Sequence, residues 1–132
     1  FESNTFDVVF NVESSHCYGN MKEFISEVKR VLKPGGTFAW SDFRTKEQMK
    51  AEDSLFISSG LEIISKEEIT PNIIQALEMI SREKEQVIKM KVPSRFQYIF
   101  SEFAGIQDSA IFKAFKDGTL VYWHYRLKKG LR

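Results

Sequence analysis

Apolar residues change their period several times along this chain, and each change marks an element. Residues 7–12 read DVVFNV, β-branched and aromatic without strict alternation, which predicts a strand covered on both faces in a parallel sheet. Over residues 21–32 the period switches. Met21, Phe24, Ile25, Val28, Val31 and Leu32 recur at helical spacing as one apolar stripe, with Lys22, Glu23, Lys29 and Arg30 on the opposite face. Lys33-Pro34-Gly35-Gly36 ends that helix, because proline cannot extend it and the glycines accept a sharp turn. Residues 37–43, TFAWSDF, predict a second buried strand. Strand, helix and strand in this order make a βαβ unit with parallel strands and a right-handed crossover.

Thr45 and Gln48 have capping-box spacing, so a helix is predicted over residues 46–59, ending at Gly60, with Ala51, Leu55 and Phe56 on its buried face. Residues 61–66 predict a third strand. Thr70 and Pro71 suit the N-cap and first position of a long helix over residues 71–91, with Ile69 and Ile74 placed for a hydrophobic staple. Its apolar side is Ile73, Ile74, Leu77, Ile80, Val87 and Ile88, and Pro93 breaks it. Two shorter helices are predicted, at residues 94–104 with Phe96, Ile99, Phe100 and Phe103, and at residues 107–115 with Ala110, Ile111, Ala114 and Phe115. Asp117-Gly118 marks a turn, and residues 120–127, LVYWHYRL, a last strand. No repeat interrupts this order, so one α/β sheet of four strands is expected, with residues 1–70 and 116–132 as sheet core and residues 71–115 as a helical insertion before the last strand.

Composition narrows the partners. The 132 residues are 42% hydrophobic and 28% charged with 3 prolines, a globular balance. Nineteen Lys and Arg against 18 Asp and Glu leave no global field to recruit nucleic acid or an anionic membrane, so any partner is recognised locally. One cysteine, Cys17, allows neither an internal disulfide nor a Cys-rich zinc site and points to a reducing, cytoplasmic setting. No run of about 18 apolar residues is present, which argues against membrane insertion. The chain opens on Phe1 with a strand only a few residues later, the look of a piece cut from a longer protein.

Phe6-Asp7-Val8-Val9-Phe10, the run Arg30-Val31-Leu32-Lys33-Pro34-Gly35-Gly36 and the strand that follows it together resemble the fourth strand, the next helix with its Pro-Gly-Gly turn, and the fifth strand of the class I S-adenosylmethionine-dependent methyltransferases acting on small molecules. Asn11-Val12-Glu13-Ser14-Ser15-His16-Cys17-Tyr18 resembles the members that methylate lipid, polyketide and sterol-like hydroxyls. The resemblance implies a partial Rossmann-like α/β sheet, strands four to seven with the last antiparallel, and a helical insertion of the kind that covers the acceptor pocket. It also implies S-adenosylmethionine as cofactor. The family's glycine-rich loop and ribose carboxylate have no counterpart here, so a carboxyl-terminal half with poor cofactor affinity of its own is expected.

The reaction this implies is methyl transfer to a hydroxyl or amine of an apolar small molecule, which demands alignment and removal of a proton from the acceptor. His16, just past the first strand, suits a general base; the alternative is a loop histidine that bonds backbone or orients Tyr18. Glu13 faces the cofactor's methionine moiety, assists His16 or organises the loop, and Asn11, Val12 and Glu13 fall on the cofactor side. Tyr18 shapes the acceptor wall or serves as a lid residue. Asp42 and Arg44 contact substrate or form an ion pair that steadies the loop into the Thr45 helix. Cys17 is read as a packing residue and His124 as structural. Two distant histidines supply no metal site, so no metal is expected. The many insertion aromatics favour a large apolar acceptor. A homo-oligomer through the open edge of the first strand is a further expectation. A non-catalytic binding or regulatory module that retains half of the fold is the competing reading.

Overall fold

The computed structural model of the protein describes residues 1–103 and 109–131. Two compact units are present, one made of Phe1–Glu68 with Val121–Arg132 and the other of Ile69–Leu120.

The first unit carries the sheet. Its elements are β1 (Phe6–Val12), α1 (Met21–Val31), β2 (Leu32–Thr45), α2 (Lys46–Ser58), β3 (Leu61–Glu68) and β4 (Leu120–Lys129). Strand order is β1-β2-β4-β3, with β1 parallel to β2 and β3 antiparallel to β4. Lys129 donates to the Leu32 carbonyl at one end of β2 while His124 meets Ser41 at the other, so β4 also runs against β2. This is the mixed, Rossmann-like α/β arrangement expected, with the last strand antiparallel.

The turn after α1 differs from expectation in form. Lys33-Pro34-Gly35-Gly36 lies inside β2 as a bulge: Phe6 pairs with Leu32, yet Val8 already pairs with Thr37. Gly36 is required by space, since a Cβ there would lie 2.9 Å from the Lys33 carbonyl oxygen and 3.1 Å from that of Asp7. Gly35 is required by its φ of +79°.

Beyond the bulge, β2 alternates. Phe38, Trp40, Asp42 and Arg44 face inward, and the intervening residues are only half buried. The core joins Phe38 and Trp40 to Ile25 and Val28 of α1, Met49 and Phe56 of α2, Leu61 of β3, and Val121, Tyr125 and Leu127 of β4. On α2 the capping box of Thr45 and Gln48 forms as predicted. Its buried face is Met49, Glu52 and Phe56; Ala51 is exposed.

β1 is the exception to the expected two-sided cover. Val9 packs on the core, but Val8, Phe10 and Val12 are 58, 75 and 59% exposed. β1 is an end strand of the sheet, so its outer edge has no strand beside it among the described residues.

The second unit holds α3 (Thr70–Lys91), α4 (Ser94–Phe103) and α5 (Ala110–Lys116). α3 starts one residue earlier than predicted: Ile69 is the N-cap and makes no side-chain cap, so the staple register is lost and Pro71 moves one place inward. Ile73, Ile74, Leu77, Ser81 and Ile88 line its covered side, whereas Ile80 and Val87 are 38 and 51% exposed. Ala104 and Gln107 lie outside the described residues, as does the side chain of Phe103. No helix among the described residues is long and apolar enough to cross a membrane.

Candidate active site

Because β1 and β2 are parallel, their carboxyl ends open on the same rim, where α/β sheets bind ligands. β1 ends at Val12, and the chain turns at Glu13 through a left-handed backbone, φ 47°, a conformation that disfavours any side chain. The Glu13 N–H donates to the Ser41 carbonyl at 2.9 Å, which ties the turn to β2. A single 3-10 turn, Ser15–Cys17, follows and brings the loop back over the core-facing side of β2.

The alternation of β2 sets the chemistry here. Two places past Trp40 the inward position is Asp42, and two further it is Arg44, so two charges sit on the face that elsewhere carries aromatic core. The Asp42 side chain is wholly buried and that of Arg44 is 6% exposed. Buried charges need partners, and these have them. Arg44 bridges Asp42 at 3.2 Å and Glu52 of α2 at 3.0 Å, donates to the Phe43 carbonyl at 2.7 Å, and stacks over the Trp40 ring at 5.5 Å.

Ser15 closes the cluster. Its hydroxyl donates to Asp42 Oδ2 at 2.7 Å and accepts from Trp40 Nε1 at 2.8 Å and from Arg44 Nη2 at 2.9 Å, so its donor and both lone pairs are used. Burial pushes the Asp42 carboxyl up, but the Ser15 hydroxyl, the His16 ring, the Phe43 N–H and the Arg44 charge outweigh it and hold it below its ordinary value. For Glu52 the balance reverses: burial, helped by the Asp42 charge, raises its carboxyl against the pull of Arg44, and Glu52 Oε2 has no partner.

His16 is held by this anion twice. Its backbone N–H donates to Asp42 Oδ2 at 2.9 Å, and its Nδ1 lies 2.8 Å from Asp42 Oδ1. Because Asp42 is ionised it can only accept, so the proton of the neutral ring is on Nδ1 and the lone pair is on Nε2. The ring stacks on Phe43 at 4.6 Å, and its side chain is 30% exposed. A basic nitrogen with a fixed tautomer thus stands at the rim.

Asn11 is buried and donates to Ser14 Oγ at 2.8 Å and to the Tyr18 hydroxyl at 3.0 Å, leaving its amide oxygen without a partner. Turning the amide over would only exchange which polar atom is left alone. Tyr18 is 40% exposed and meets Phe24 edge-on at 4.9 Å. Glu13 accepts from the Tyr122 hydroxyl at 2.9 Å; burial and that carboxylate raise the phenol, which stays a donor. Val12 is exposed on the outer face of β1.

Asn11, Glu13, Tyr18, His16, Asp42 and Arg44 therefore gather at one rim, though Asp42 and Arg44 are inside it and touch protein. Cys17, expected to pack, is exposed: the 3-10 turn directs Ser15 inward and leaves Cys17 outside. His124 bonds Ser41 at 3.2 Å. Sequence reasoning missed Ser15 and Glu52 as partners of the buried charges. Among the described residues no group of three or more His, Cys, Asp or Glu could hold a metal ion.

Comparison with known proteins gives the similarities of the chain. The family described as "Methyltransferase domain" matches residues 1–40, which contain β1, the rim loop and the glycine bulge. The phthiotriol/phenolphthiotriol dimycocerosates methyltransferase of Mycobacterium leprae is 31% identical over 98% of this chain and 48% of its own length. The similarity is to class I S-adenosylmethionine-dependent methyltransferases. The fatty-acid O-methyltransferase of Mycolicibacterium smegmatis is 32% identical to this chain over 71% of it and 34% of the relative. Among solved structures, a Haemonchus contortus phosphoethanolamine N-methyltransferase 2 in complex with S-adenosyl-L-methionine superposes with a TM-score of 0.77 at 19% identity, covering 98% of this chain and 34% of that one. The chain spans about half the length of the first of these relatives, 48% of it.

Proposed function

We propose that this chain supplies the acceptor side of a site that transfers a methyl group from S-adenosylmethionine to a hydroxyl of an apolar, lipid-like molecule, with His16 as the general base. The His16–Asp42 pair carries the reading. Asp42 fixes the tautomer, keeps Nε2 free to take the acceptor's proton, and stabilises the imidazolium that results. Ser15 and Arg44 hold Asp42 in place, Glu52 holds Arg44, and none of the three meets the acceptor. Tyr18, beside Asn11 and Ser14, forms the neighbouring wall.

When bound, the cofactor supplies an electrophilic sulfonium methyl. The rim suits one end of it: the buried amide oxygen of Asn11 has no partner and can accept from a polar group, and the Glu13 carboxylate, with one oxygen on Tyr122, offers negative charge next to where a cation would lie. The proposed division gives this chain the acceptor side and only a weak grip of its own on the adenosine portion. Calorimetric titration of S-adenosylmethionine into this chain is expected to show no micromolar binding; micromolar binding would overturn that division.

The lipid-like acceptor rests on the names of the Mycobacterium leprae and Mycolicibacterium smegmatis relatives. The decisive experiment follows labelled methyl transfer to hydroxylated lipids by the complete polypeptide that carries this sequence. His16→Gln is expected to lower turnover about 10²-fold or more with cofactor affinity nearly unchanged. Unchanged turnover removes His16 from the mechanism, and indifference of the wild type to acceptor chain length rejects the apolar acceptor.

A further inference from the structure

One side of α2 looks across a cleft at the β3–β4 pair. Lys46, Met49, Lys50 and Asp53 recur at i, i+3, i+4 and i+7, so they share a side of the helix. On the strands the facing positions are set by register: Lys66 of β3 stands opposite Tyr125 of β4, and Glu68 stands opposite Trp123. With Val121 these residues line a single cleft of about 270 Å³, all of it within the sheet unit. None of them belongs to the His16 rim.

The floor of the cleft is apolar. Met49, Val121 and Tyr125 are buried, Trp123 is half-buried, and the Trp123 ring lies 6.0 Å from that of Tyr125. The polar groups around it divide sharply, because the acceptors are occupied and the donors are not. Asp53 takes Lys66 Nζ on both oxygens, at 3.0 and 3.1 Å, and the Tyr125 hydroxyl on one of them at 3.0 Å. Glu68 is engaged within the protein. Lys46 Nζ, Lys50 Nζ and the Trp123 indole N–H have no partner among the described residues. Three lysines against two carboxylates leave the lining net positive. The other nearby carboxylates stand elsewhere: Glu47 is on another side of α2, Glu52 pairs with Arg44, and Glu67 alternates to the other face of β3.

Unused donors beside an aromatic floor suit a ligand with acceptors at one end and a flat apolar body at the other. A neutral solute would leave the ammonium groups unanswered, and a cation would meet three lysines. The cleft falls just below the roughly 300–1,000 Å³ of sites for drug-sized molecules, which limits the body to about one ring. We infer that the cleft between α2 and the β3–β4 pair is a binding site for a small aromatic carboxylate. Its ring lies on Trp123 against Met49 and Val121, and its carboxylate is held by Lys46 and Lys50. The site stands whether or not the methyl-transfer reading is right.

Amide NMR spectra of the isotope-labelled full chain, titrated with benzoate, benzyl alcohol or benzylammonium, test this. Benzoate is expected to give saturable shifts centred on residues 46–53 and 121–125, benzyl alcohol to bind about fivefold more weakly, and benzylammonium not to saturate. Lys46→Gln with Lys50→Gln should bring benzoate down to the level of benzyl alcohol and leave the alcohol unchanged. Trp123→Leu should weaken both ligands while resonances away from the cleft keep their positions. No saturable shift with benzoate, equal affinity for benzoate and the alcohol, shifts centred elsewhere, or indifference to the lysine pair or to Trp123→Leu would overturn the inference.

Discussion

Arg44 stands between two carboxylates, and one guanidinium cannot serve both equally. Asp42 receives the hydroxyl, the ring and the backbone donor as well, so its carboxyl goes down; Glu52 has a bare oxygen, and its carboxyl goes up. The two groups bend stability with pH in opposite directions. Asp42, depressed when folded, contributes stability that is present above its unfolded value of about 3.9 and lost as pH falls through the lower folded value. Glu52, raised when folded, contributes stability that is present below about 4.3 and lost as pH rises through the higher folded value. Glu52→Gln should therefore remove the decline that begins above about pH 4.3, which urea unfolding across a pH series would register. Arg44→Met should cost about 3–5 kcal/mol in the same measurement, because it strands two buried carboxylates. A cost below about 1 kcal/mol would mean that the charges find water instead. Part of this cluster was legible beforehand: an ion pair of Asp42 and Arg44 is one of the two readings the sequence allows, but their burial in line with Phe38 and Trp40 is not, because the strand is predicted to end at Phe43. Their partner Ser15 was not legible. Nothing local separates it from Ser14, and only the path of the 3-10 turn brings it beneath Trp40 and Arg44.

At the level of elements, local chemistry accounts for most boundaries. The capping pair Thr45–Gln48, the apolar stripe of α1 and the Asp117-Gly118 turn all form where side-chain spacing placed them. What could not be read locally is whatever depends on a neighbour. The glycine bulge joins β2 because β1 lies against it, and Ile80 and Val87 turn outward because the helix meets its unit along the Ile74–Ser81–Ile88 side. The bulge offers a sharp test. Gly36→Ala drives a methyl group against two backbone carbonyls that pairing holds still, and should cost about 1–3 kcal/mol of unfolding free energy. Gly19→Ala, with nothing within 4 Å of the added carbon, should be nearly silent. Equal effects at the two positions would show that β2 can relax around the carbonyls.

On the scale of the whole molecule, the sheet ends abruptly at β1. Val8, Phe10 and Val12 line an uncovered face next to an open edge, a combination that invites strand addition. We propose that the isolated chain self-associates along this edge. Phe10→Lys should shift its sedimentation profile at micromolar concentration towards the monomer, since a charge at an edge opposes pairing. A profile that was monomeric before the substitution would dismiss the idea. The parallel pair followed from the order of elements, but the place of β4 between β2 and β3 and the bare face of β1 did not: DVVFNV has the composition of a strand enclosed on both sides, and composition does not say which neighbours are present.

Cys17 follows His16 on the same short turn, is open to solvent, and is the chain's sole thiol. That makes the site addressable by chemistry without any engineering. One environment-sensitive fluorophore attached there would reside on the same turn as the imidazole, so its emission would respond to whatever enters the rim. The arrival of a candidate acceptor would become an optical signal, readable in a cuvette before any turnover assay has been set up.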